Sequence, residues 1–163
     1  MPGAGVGLLF SLAAATLIAF SGPALAEEAA IPSAAKSPIE AVVAFGAALE
    51  AGDEAALFSL LAADVQIAES GGIERSLEEY RSHHMSADIK FSKAVETTVL
   101  DRRVYEGSGL VTILTESVSK GTFRDKPINS RLMETMVLQE TGGAWKIVHI
   151  HWSSASVATD HDH

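Results

Sequence analysis

The chain has 163 residues and a formal net charge of −9, enough for one domain and the wrong sign for a surface that binds phosphate backbones. No cluster of Lys and Arg with interleaved aromatics offsets that acidity, so nucleic acid is not an expected partner. With no cysteine, disulfides, thiolate chemistry, thiolate metal sites and lipidation on Cys are excluded, and the fold must hold by packing alone.

The first 26 residues carry no Asp, Glu, Lys or Arg. Within them Leu8 to Phe20 is an apolar run of 13 residues, too short at ~1.5 Å rise per residue for a hydrocarbon core of ~30 Å. Ser21-Gly22-Pro23 breaks any helix, and Ala24-Leu25-Ala26 has the small-x-small pattern that signal peptidase accepts. Residues 1–26 are therefore expected to be a cleavable signal peptide. The mature protein should be soluble, without a membrane association, in a bacterial periplasm. Residues 27–37 are rich in Ala, Ser and Pro and read as a linker.

Ser37 followed by Pro38 is a helix-start signal. Ile39, Val42, Val43, Phe45 and Leu49 recur at helical spacing up to Glu50. Gly52 stops that helix and Asp53 caps a second, with Ala56, Leu57, Leu60 and Leu61 as its apolar stripe. A short strand is expected from Asp64 to Ala68, then a turn at Glu69-Ser70-Gly71-Gly72. Ser76 and Glu79 form a capping box for a third helix, which aligns Leu77, Tyr80 and His84. After Asp88 the period changes from 3.6 to 2. Strands are expected at 93–105, 109–120, 129–140 and 145–155, separated by turn residues. Helices followed by long antiparallel strands predict an α+β domain over 38–155 with helices on one face of the sheet. Residues 156–163 form a tail expected to be disordered.

Thr141-Gly142-Gly143-Ala144 is the clearest hairpin, because two glycines tolerate the positive φ of a type I′ turn. Pairing Thr141 with Ala144 and continuing without interruption sets Met136 opposite His149 and Glu134 opposite His151. Trp145, Ile147, His149 and His151 would then share a face with Glu134 and Met136. Opposite residues lie ~4.5–5.5 Å apart at Cβ, so Glu134 could orient His151 as a general base. The same pair on a solvent-facing surface would be an ordinary cross-strand contact. His149-x-His151 also has a metal-ligand spacing that Glu134, Glu69 or a helix histidine could complete, but no metal or cofactor is assigned. His83 and His84 point ~100° apart on a helix, and His84, on the Tyr80 stripe, is the better pocket candidate. Candidate catalytic residues are thus His151, Glu134 and His149. Candidate ligand-binding residues are Tyr80, His84, His83, Glu69, Met136 and Trp145.

The order of elements, the segment from Glu69 to Met85 (ESGGIERSLEEYRSHHM) and the ending Trp145 to Ser154 (WKIVHIHWSS) resemble SnoaL-like proteins of the nuclear transport factor 2-like, or ketosteroid isomerase-like, superfamily. The resemblance implies a curved sheet wrapped around helices, a conical pocket and frequent dimerisation through the sheet. Fold alone does not assign an activity. Three readings stay open: a pocket protein for a small, partly apolar ligand; an isomerase, cyclase or lyase with a Glu-oriented His as base; and a metal-binding or oligomerisation module.

Overall fold

The computed structural model describes residue 35 and residues 37–157. The expected signal peptide, most of the linker and most of the tail lie outside the described residues. Helix α1 (Pro38–Ala51) starts where Ser37 accepts a hydrogen bond from the Glu40 N–H at 3.2 Å and ends at Gly52, whose φ of 72° is left-handed. Asp53 caps α2 (Glu54–Leu60) by accepting from the Ala56 N–H at 2.9 Å. Leu61, expected to close the stripe of that helix, is instead extended and opens β1 (Leu61–Glu69). A two-residue turn at Ser70 and Gly71, both with positive φ, leads into β2 (Gly72–Glu74).

Ser76 caps α3 (Leu77–His83), accepting from the Glu79 N–H at 3.1 Å. The Glu79 carboxylate reaches one residue beyond the usual capping box and accepts from the Arg75 N–H. The chain then makes a helix absent from the sequence reading, α4 (Met85–Ala94). The expected strand at 93–105 begins only once α4 has ended.

Four long strands follow: β3 (Val95–Gly107), β4 (Leu110–Phe123), β5 (Lys126–Thr141) and β6 (Ala144–Ser156). The sheet order is β2-β1-β6-β5-β4-β3. All neighbours are antiparallel except β1 and β6. Gly121 of β4 faces Val95 so closely that a Cβ there would lie 2.8 Å from the Ala94 carbonyl, which lets the end of α4 sit against the sheet.

The helices cover one face. Phe45, Leu57, Tyr80 and Met85 from the helices meet Ile113, Met136, Leu138, Ile147 and Ile150 from the strands, all at most 2% exposed. Each such aliphatic side chain contributes about 1.5–3 kcal/mol by leaving water. Among the described residues no helix is long and apolar enough to cross a membrane.

The β5–β6 register corrects the sequence reading. Thr141 does pair with Ala144, and the uninterrupted ladder holds as far as Leu138–Ile147. Val148 is then an extra residue: Val137 pairs with His149, Met136 with Ile150, Thr135 with His151, and Glu134 with Trp152. A bulge that sets two residues against one changes which side chains face inward. Trp145 and Ile147 before it, and Ile150 and Trp152 after it, all reach the core. His149 and His151 point away from it.

Candidate functional site

The hairpin β1–β2 sets Ile67 opposite Glu74 and Glu69 opposite Gly72, and the parallel pairing of β1 with β6 sets Glu69 beside Trp152. Over this corner lie α3 and α4. The result is a cavity of about 250 Å³. Ile67, Ile73 and Trp152 line it, together with the ionisable side chains of Glu69, Glu74, Tyr80, His84 and Asp88. A wider concavity of about 500 Å³ at the start of β3 is bordered by Glu50, Lys93 and Glu96, all exposed, and offers no buried ionisable group.

Two side-chain pairs organise the smaller cavity. Tyr80 is fully buried and its hydroxyl donates to Asp88 Oδ2 at 2.9 Å. Burial and the neighbouring Asp88 carboxylate push the Tyr80 phenol far above its ordinary range, so it stays a hydrogen-bond donor. Burial likewise pushes the Asp88 carboxyl up to about 6. The Tyr80 hydroxyl and His84 pull it back, while Glu69 and Glu74 add to the rise. In the second pair His84 Nδ1 bonds Glu74 Oε1. Glu74 is buried whereas the His84 ring is largely exposed, and the bond to Glu74 raises the imidazole above its usual value. A carboxyl that titrates near neutrality beside a phenolic donor can accept and return a proton.

The back wall is Trp152. Its Nε1–H donates to Glu134 Oε2 at 3.0 Å, and its ring stacks on Phe45 with centroids 6.3 Å apart. Glu134 is thus tied to Trp152, not to His151 as expected from the sequence. Burial raises the Glu134 carboxyl, opposed by the Trp152 N–H, Arg102 and Thr115.

Of the expected ligand-binding residues, Tyr80, His84 and Glu69 come together at the cavity. His83 is exposed and meets only the edge of the His84 ring, at 6.5 Å. Met136 lies in the core, and Trp145 packs against it. His149 and His151 lie on the outward face, opposite Val137 and Thr135. Glu69 points to the other face of the sheet, and among the described residues no three His, Cys, Asp or Glu side chains are grouped to hold a metal ion. The sequence reading missed Asp88, Glu74 and Trp152. Asp88 had a signal, since Tyr80, His84 and Asp88 recur every four residues.

A family model described as a SnoaL-like domain matches residues 39–157. A candidate ketosteroid isomerase from Shewanella frigidimarina NCIMB 400 is 41% identical with a TM-score of 0.67, over 69% of this chain and 91% of that one. The S. rosetta CaMKII hub is similar at 22% identity and TM-score 0.63, over 72% and 93% of the two chains. LinA is similar at 14% identity and TM-score 0.63, over 75% and 86%. These likenesses bear out the α+β, nuclear transport factor 2-like fold. No curated protein matches the chain significantly.

Proposed function

The chain belongs to the SnoaL-like domain family, and we propose that its β1–β2–α3–α4 cavity binds a small, partly apolar molecule carrying a positive charge or several hydrogen-bond donors. The lining carries this reading: three carboxylates and one imidazole converge beside Ile67 and Trp152, and neither Lys nor Arg lines the cavity. Such a wall repels anions and favours an ammonium group, which the half-buried Trp152 ring can also attract. The volume of about 250 Å³ lies below the ~300–1,000 Å³ of drug-sized sites, which calls for a compact ligand. Calorimetric titration with benzylamine, benzyl alcohol and benzoate tests it. Benzylamine should bind best, and Glu69→Gln with Asp88→Asn should remove that preference. Preferential binding of benzoate would refute the reading.

A second reading adds chemistry, of the isomerase type that the name of the Shewanella relative states. The Tyr80–Asp88 pair supports it, with Asp88 as the group that takes a proton from a bound molecule and gives it back. A rate on an enolisable substrate that rises with pH through about 6 and vanishes in Asp88→Asn would support proton transfer.

Leu114, Val118, Met133 and Val137 are half-buried on the outward sheet face, and a second copy is the proposed partner there. Sedimentation at micromolar concentration should give a dimer, and a monomer would refute it. Residues 1–26 are proposed to direct export to the periplasm. Periplasmic protein should then begin at Glu27, whereas an intact Met1 would argue against cleavage.

A further inference from the structure

Trp152 lies between two carboxylates, Glu69 on β1 and Glu134 on β5, and its one N–H goes to Glu134. Glu134 does not line the cavity. It stands behind the wall, in a row that crosses the sheet as Arg102, Thr115, Glu134, Trp152 and Glu69 on neighbouring strands. The row is linked as well as aligned: Arg102 Nε donates to Thr115 Oγ1 at 3.2 Å, and Thr115 and Arg102 both favour the charged form of Glu134. A neutral acceptor would satisfy an indole N–H without the cost of burying a charge. A carboxylate makes a stronger, charge-assisted bond. With Phe45 stacked on its face, the indole is held both at its edge and across its plane.

From this geometry we infer that Glu134 is a positioning residue that fixes the plane of Trp152 from behind the wall and so sets the shape, and with it the ligand selectivity, of the cavity. The inference rests on the proposed binding function only for its second readout. The N–H goes to Glu134, and the Glu69 carboxylate remains at the cavity. Arg102, on the edge strand, acts one step further back: it donates to Thr115 and opposes the rise that burial imposes on the Glu134 carboxyl.

The test uses the full chain with Trp145→Phe, which leaves Trp152 as its only tryptophan. Emission and acrylamide quenching are compared for Glu134, Glu134→Gln and Glu134→Leu. In Glu134→Leu the Trp152 emission should shift and its quenching constant should rise about twofold, as expected for an unanchored indole edge. Glu134→Gln keeps an acceptor and should restore the parent spectrum. Benzylamine is the binding probe: its Kd should weaken about tenfold in Glu134→Leu, the loss expected for about 1.4 kcal/mol, and change little in Glu134→Gln. Trp152→Phe keeps a ring on Phe45 but has no N–H, and should weaken benzylamine as Glu134→Leu does. It also decides the matter if Glu134→Leu does not fold. An unchanged Trp152 spectrum in a folded Glu134→Leu, or unchanged affinity in Trp152→Phe, would overturn the inference. If the parent binds no benzylamine, the binding proposal fails, while the emission comparison still judges Glu134.

Discussion

Replacing Asp88 by Asn should stabilise the protein at neutral pH and add only about 0.5 kcal/mol at pH 4. The Asp88 carboxyl moves from 3.8 in the unfolded chain to about 6 in the fold, chiefly through burial. Its folded value lies above its unfolded one, so between those limits the native state holds more protons than the unfolded state. Stability contributed by this group therefore falls as pH rises through the window, and the penalty is complete above about pH 6. At about 1.4 kcal/mol per unit, a displacement of about two units costs the ionised native state about 3 kcal/mol. Asn removes that charge and still accepts the Tyr80 hydroxyl. Urea melts at pH 4 and 7.5 should give nearly equal stabilities at the lower pH, within about 0.5 kcal/mol, and an advantage of about 2–3 kcal/mol for Asp88→Asn at the higher, near 8–10 °C in Tm for a chain of this size. The quantity to follow is the difference between the two proteins, because other carboxylates titrate in the same range. An advantage of equal size at both pH values, or a loss at pH 7.5, would refute the argument.

Tyr80→Phe removes the donor that pulls the Asp88 value down, so the NMR titration midpoint of Asp88 should rise and stability should fall by about 1 kcal/mol. Glu74→Gln removes the main cause of the raised His84 value, and the His84 ring should then titrate at lower pH by NMR. His84 is mostly exposed; whatever it adds to stability through Glu74 is complete below its unfolded pKa and is lost as pH climbs through the higher folded one. Ile150→Ala, at a fully buried position, should cost about 2–5 kcal/mol in denaturant melts. Deleting Val148 keeps every observed β5–β6 pair, since that residue is the unpaired one. The shortened chain should fold with a smaller loss of Tm than a chain lacking His151, in which Ile150 and Trp152 can no longer both face inward.

Much of the fold could be read from residue types with local meanings. Ser37-Pro38, Gly52-Asp53 and Ser76 mark helix ends through their own side chains or backbone conformation, and Gly142-Gly143 marks a turn for the same reason. The helix α4 was less visible because among its residues only Met85 is buried, so it lacks a long apolar stripe. The bulge at Val148 was hidden because Ile147, Val148 and Ile150 are all apolar. No polar residue betrays where the inward face changes, so an uninterrupted ladder fits the sequence equally well. One extra residue was enough to send both strand histidines outward and bring Trp152 in. Tyr80 and His84 were legible as one helical stripe, but the partners that give them their chemistry come from β2 and from α4.

The parallel pairing of β1 with β6 bears on how the protein is made. One wall of the cavity comes from residues 61–74 and the other from Trp152, near the end of the domain. A growing chain can form its helices and its first hairpin early, but the cavity has no back wall until the last strand docks beside the first long one. Such sequence-distant contacts form slowly relative to local ones. A ligand that needs Trp152 cannot rescue half-built intermediates; it would add its binding energy only to the finished fold, as an increase in global stability that grows with ligand concentration.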